Sequence, residues 1–131
     1  MRLFGRKTEK KETIPVTDTV TVTELEQFLA DDKEVYEALY HAMFLDPRKI
    51  GISIGEAVEK AHDFEKEGKM DRAREWYEFA GRMAIYEGNT RKVVEFFREA
   101  ERISGKKYPI LKNTEKAVAK AQEYYKKQLK T

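Results

Sequence analysis

The sequence predicts an all-α protein, a small bundle of about five to six short antiparallel helices. Three observations favour this class. Apolar residues recur at helical spacing from about residue 23 onward, helix-start signals precede these stretches, and Gly or Pro follows them. The 131 residues suffice for one domain, and 40% of them are hydrophobic, which is enough for a packed core. We therefore expect a single all-helical domain over residues 16–131, preceded by a flexible basic arm over residues 1–15.

The first two helices follow an extended lead-in. Residues 16–23 alternate β-branched and polar side chains, which is typical of extended backbone. Thr23 and Glu26 have the spacing of a capping box, and they precede the apolar residues of a first helix. Asp31 and Glu34 predict the start of a second helix that runs to about Asp46-Pro47. Its apolar stripe comprises Val35, Ala38, Leu39, Ala42 and Met43, with Tyr36 and Tyr40 on its flank.

Four further helices have clear boundaries. A capping box at Ser53 and Glu56 opens the third, and Gly68 closes it. The fourth runs from about Met70 to Glu87, the fifth from Thr90 to about Ser104, and the sixth from about Asn113-Thr114. In the fourth, six apolar side chains fall within about 100° of arc, and Phe79 and Tyr86 widen it. These six are Ala73, Trp76, Tyr77, Ala80, Met83 and Ala84.

Small and aromatic residues follow a regular order in residues 57–80. They are Ala57, Ala61, Phe64, Gly68, Ala73, Tyr77 and Ala80. This order resembles one tetratricopeptide (TPR) motif, in which small residues lie where two helices approach closely. A shift of 34 residues places Arg98, Arg102 and Lys107 where Phe, Gly and Ala would recur, so the resemblance is to one hairpin and not to an array.

The same region also resembles a MIT domain, the three-helix module of membrane-remodelling ATPases and their relatives. Residues 93–103 resemble the third helix of that module, so the similarity covers about residues 54–104. Both resemblances imply a scaffold that binds helical or extended peptides in grooves between helices. We therefore expect a non-enzymatic protein-interaction module, an adaptor or scaffold that binds a peptide or helix of a partner protein.

The fourth helix suggests where such a partner would bind. Its apolar arc is wide, so it predicts an apolar patch that either stays exposed or is covered in a homodimer. The candidate partner-binding residues on this helix are Trp76, Phe79 and Tyr86.

The charge distribution suggests an alternative function. Residues 14–90 contain nine basic and seventeen acidic side chains, whereas residues 91–131 contain twelve basic and five acidic ones. Either the basic helices neutralise the acidic ones internally, or they form a basic face that binds RNA or DNA. The candidate nucleic-acid-binding residues are Arg91, Arg98, Arg102, Lys106, Lys107, Lys116, Lys120 and Lys127.

Other function classes have little support in the sequence. There is no cysteine, and the two histidines, His41 and His62, are predicted on solvated helix surfaces. The glycines are scattered and form no phosphate-binding loop. We expect no catalytic residue, no metal and no cofactor, and a cytoplasmic protein without a membrane span. The composition, with 17 Lys and 18 Glu against two Asn and three Gln, is typical of thermophile proteins.

Overall fold

A computed structural model describes residues 22–129 of the chain. These residues form six α-helices and no β-strand, so the all-α prediction is confirmed. The helices are α1 (Val22–Phe28), α2 (Lys33–Tyr40), α3 (Ile54–Lys66), α4 (Met70–Glu87), α5 (Thr90–Ser104) and α6 (Thr114–Leu129). Two 3-10 turns, Pro47–Lys49 and Pro109–Lys112, precede α3 and α6.

Helix α4 lies at the centre of the bundle. It packs along α3 on one side and α5 on the other, and it also contacts α6. Small side chains permit these close approaches, since Ala57, Ala61 and Ala80 are completely buried. At Gly81 a Cβ atom would lie 2.5 Å from Cε2 of Phe97. Only glycine therefore lets α5 approach α4 this closely.

Local signals set most of the helix ends. The Ser53 hydroxyl accepts a hydrogen bond from Glu56 N, and the Glu56 carboxylate accepts one from Ser53 N, which confirms the predicted capping box. Gly68, Gly88 and Gly105 have φ angles of 78°, 73° and 74°, which suit glycine at the end of a helix. The predicted bounds of α4 and α5 and the start of α6 are all confirmed.

The second helix is shorter than predicted. It ends at Tyr40, whereas the sequence suggested about Asp46, and its N-cap is Asp32 and not Asp31. The helix ends early because the residues that follow it pack against other parts of the core. Phe44 packs its ring against Phe79 with 5.3 Å between centroids, and its carbonyl oxygen accepts a hydrogen bond from the Tyr125 hydroxyl.

The predictions for the amino-terminal residues are tested only in part. The arm over residues 1–15 and the extended segment over residues 16–21 lie outside the described residues. Val22 and Thr23 belong to α1, so the prediction of extended backbone is wrong for these two residues.

Helix α6 closes the bundle against α2, α4 and α5. The Gln122 side chain donates from Nε2 to the carbonyl oxygens of Ile85, at 2.8 Å, and Tyr86, at 2.9 Å. These bonds attach α6 to the carboxyl end of α4, where the Ile85 carbonyl also accepts a hydrogen bond from Gly88 N. Within residues 22–129, no helix is both long and apolar enough to span a bilayer.

Candidate functional site

The structure places the predicted partner-binding residues of α4 inside the protein. Trp76 is 1% exposed and Phe79 is completely buried, while Tyr86 is half-buried. Phe79 lies between the rings of Trp76 and Phe44, and Tyr86 packs edge-on against Tyr125. The prediction of an apolar patch on this helix is therefore wrong, because residues of the same chain cover the apolar arc of α4.

The predicted basic face is partly neutralised by the chain itself. Arg102 bonds Glu99 and Glu65 at 2.7 and 2.9 Å, and Lys116 lies 3.0 Å from the Asp32 carboxylate. Lys107 and Lys120 make longer ion pairs, of 3.8 Å to Glu101 and 3.7 Å to Glu123. Half of the eight predicted residues thus have an acidic partner, which favours the internal interpretation of the charge pattern.

These ion pairs also point in different directions. Arg102 reaches Glu65 on α3, whereas Lys116 reaches Asp32 at the start of α2. Lys127 lies over the ring of Phe28 in α1, with Nζ 5.7 Å from the centroid. These three basic residues of α5 and α6 thus contact three different elements, the helices α3 and α1 and the start of α2.

A smaller basic strip remains on α5. Arg91 and Arg98 are exposed, are separated by two helical turns, and make no ion pair with any residue in 22–129. Lys106 is exposed beyond the end of this helix, where its Nζ lies 5.8 Å from the ring centroid of Tyr108.

The two histidines are both exposed. His41 packs edge-on against Tyr40, and His62 lies beside Tyr77, with ring centroids 4.9 and 5.9 Å apart respectively. In the part of the chain that the structure describes, no group of three or more His, Asp or Glu side chains is arranged to hold a metal ion.

A partly buried polar cluster fastens the second 3-10 turn to α4. Tyr108 donates its hydroxyl proton to Glu78, and Glu78 also accepts from Arg74 Nη1 at 3.2 Å. Burial and the Glu78 carboxylate raise the pKa of Tyr108 to about 12. Next to this cluster, burial lowers the pKa of Arg82, whose guanidinium stacks on the ring of Phe44. The short distances and the burial suit a structural role for these groups.

A groove lies where α1 turns into α2, and it is lined by one residue of α1, two of the turn and three of α2. Its volume is about 370 Å³, and it is lined by Glu26, Leu29, Ala30, Lys33, Tyr36 and Glu37. A second depression, of about 410 Å³, is lined by consecutive residues of the α3–α4 turn, Gly68 to Arg72. Ligand sites in proteins have volumes of about 300–1,000 Å³, so the groove is large enough for a side chain or a short peptide segment.

An aromatic row continues from this groove along α2. Tyr36 is half-buried, and its ring centroid lies 5.6 Å from that of Tyr40, which is 48% exposed. The only other large apolar side chain this exposed in residues 22–129 is Met70, at the start of α4. The row therefore places aromatic surface in water directly beside the concave site.

No protein-family model, curated protein or solved structure matches the chain significantly. The likeness to TPR and MIT hairpins therefore stays a prediction.

Two carboxylates and one lysine line the groove. Residues 22–46 contain seven Asp and Glu side chains and one lysine. Glu26 and Glu37 line the groove, are exposed, and make no ion pair with any other residue between 22 and 129. Burial raises the pKa of the Tyr36 hydroxyl, and the charges of Glu26 and Glu37 raise it further. Both carboxylates thus act on the same point of the groove, and because Lys33 is the one cation of the lining, the lining residues have a formal charge of −1.

Sequence reasoning did not single out this site. The sequence predicted Tyr36 and Tyr40 on the flank of the second helix, and the structure places both in α2. Nothing in their sequence pattern was a reason to assign them a role. The acidic bias of residues 22–46 was a signal that could have drawn attention to this region.

Proposed function

We propose that the protein is a non-enzymatic interaction module, an adaptor or scaffold that binds a peptide or helix of a partner protein in the α1–α2 groove. The observation that carries this proposal is the groove itself, with half-buried Tyr36 in its wall and exposed Tyr40 beside it. Tyrosine provides a large contact area at a low cost in side-chain entropy, which makes it common in binding surfaces. The proposal assigns the binding role to α1 and α2 instead of the covered helix α4.

A peptide-display selection on the full chain tests this function. Ala30 is exposed and lines the groove, so Ala30→Trp fills the groove without disturbing the core. Ala119 is exposed on α6, and Ala119→Trp is the matched control. We expect peptides that bind the wild type and Ala119→Trp, and that bind Ala30→Trp at least tenfold more weakly. A selection whose peptides all bind Ala30→Trp as well as the wild type would refute the function.

An alternative function is RNA or DNA binding through the basic face of α5 and α6. The observation that favours it is the pair Arg91 and Arg98, both exposed and without an acidic partner in the described residues. Affinity from such contacts falls steeply with salt. Fluorescence anisotropy with single-stranded RNA and duplex DNA at about 50 mM salt tests this alternative. Binding that Arg91→Ala and Arg98→Ala each weaken would support it, and no binding would exclude it.

A further inference from the structure

We propose that the segment bound in the α1–α2 groove is basic, with Lys or Arg side chains flanking one large apolar side chain. This inference rests on the proposed function and names the chemistry of its partner. It follows from three features, which are the two lining carboxylates that form no ion pair within residues 22–129, the neighbouring tyrosines Tyr36 and Tyr40, and the apolar floor of the groove.

The carboxylates supply the charge preference. Glu26 and Glu37 belong to different helices, yet both act electrostatically on the Tyr36 hydroxyl. Neither forms an ion pair within residues 22–129, so each is available to a cation from outside this region. The contrast with Asp32 is informative, because Lys116 already pairs with that carboxylate at 3.0 Å. Carboxylates on two sides of a groove favour a segment with two separated cations.

The tyrosines favour the same side chains. An arginine or lysine can place its cation over an aromatic ring while its aliphatic stem covers apolar surface. The neighbouring rings of Tyr36 and Tyr40, tilted by 32° to each other, offer such surfaces next to the two carboxylates. The protein uses this contact elsewhere, since Lys127 lies over Phe28 and Lys60 over Trp76.

The floor of the groove supplies the apolar contact. Leu29 lines the groove and is 2% exposed, so only a small part of its side chain is open to a ligand. Ala30 beside it leaves space above this point. One large apolar side chain of the partner would fill that space and bury the exposed edge of Tyr36.

The peptides selected on the full chain test this inference directly. We expect an excess of Lys and Arg around a Leu, Ile, Phe or Trp, and binding that weakens as salt rises. Glu26→Lys and Glu37→Lys should each weaken the strongest peptide about tenfold. Glu59→Lys is the matched control, because Glu59 is exposed on α3 and the change in net charge is the same. We expect it to change the affinity by less than threefold.

Each other outcome overturns the inference in a recognisable way. Acidic or uncharged peptides that bind the wild type but not Ala30→Trp would refute the basic partner and leave the proposed function standing. Self-association that Glu26→Lys abolishes would make the occupant a second copy of the chain. Peptide binding that is seen only after Lys10 and Lys11 are replaced by Glu would make the occupant the chain's own basic amino-terminal residues.

Discussion

Two adjacent tyrosines in α6 provide a matched test of the buried hydrogen bonds. Tyr125 and Tyr124 are 4% and 0% exposed, and the Tyr125 hydroxyl donates a hydrogen bond to the carbonyl oxygen of Phe44. The Tyr124 hydroxyl is buried without a hydrogen-bond partner among residues 22–129. Replacing each residue by Phe removes the same atom, so the two variants differ only in what that oxygen contacts.

The expected effects have opposite directions. Tyr125→Phe loses a buried hydrogen bond and leaves the Phe44 carbonyl without its donor, which costs about 1–3 kcal/mol. Tyr124→Phe removes a buried hydroxyl that makes no bond, so stability should be unchanged or should rise by up to about 1 kcal/mol. The free energies of unfolding of the two variants should therefore differ by about 2 kcal/mol, or about 8 °C in Tm.

Urea denaturation followed by circular dichroism measures this difference. The slope of the free energy with urea should stay the same in both variants, because neither changes the buried surface much. Tyr124→Phe that destabilises as much as Tyr125→Phe would refute the reasoning, since it would mean that the Tyr124 hydroxyl has a partner.

Two further predictions concern packing and pH. Gly81→Ala should destabilise the protein by about 1–3 kcal/mol, because the new Cβ would lie 2.5 Å from a ring atom of Phe97. Gly55→Ala, on the exposed face of α3, is the control and should be neutral or slightly stabilising in the same thermal scan. If the Gly81→Ala variant is as stable as the Gly55→Ala variant, the conclusion that α4 and α5 approach closely at Gly81 is wrong. Burial raises the pKa of Tyr77 and Tyr108 from 10.0 to about 12, so the folded state holds these protons to higher pH than the unfolded chain does. Stability should therefore be fully present below pH 10 and fall as the pH rises towards 12, and tyrosinate absorbance should report these groups titrating together with unfolding. Titration of every tyrosine near pH 10 without loss of helicity would contradict this.

Much of the fold could be predicted because its boundaries are encoded locally. The capping box at Ser53 and the glycines after α3, α4 and α5 are read from neighbouring residues alone. The end of α2 could not be predicted in this way. The helix end depends on a contact with a residue far away in sequence, because the Phe44 carbonyl accepts a hydrogen bond from the Tyr125 hydroxyl and is not part of the helix.

The contacts of the predicted site residues were harder to predict because they involve residues distant in sequence. The apolar arc of α4 is visible in the sequence, but the sequence does not show that Phe44 covers Phe79. The basic residues are visible too, but not the pairing of Lys116 with Asp32. The residues that line the groove are close in sequence, between residues 26 and 37, but their spacing does not show that the chain leaves a depression where α1 turns into α2.

The location of peptide binding tests the central claim most directly. Titration of the ¹⁵N-labelled full chain with the strongest selected peptide reports, amide by amide, which surface the peptide contacts. We expect the largest chemical-shift changes to cluster in residues 26–40, around the groove and the Tyr36–Tyr40 row. Changes centred on Arg91 and Arg98 in α5, or spread evenly over the bundle, would contradict the assignment of the groove as the binding site.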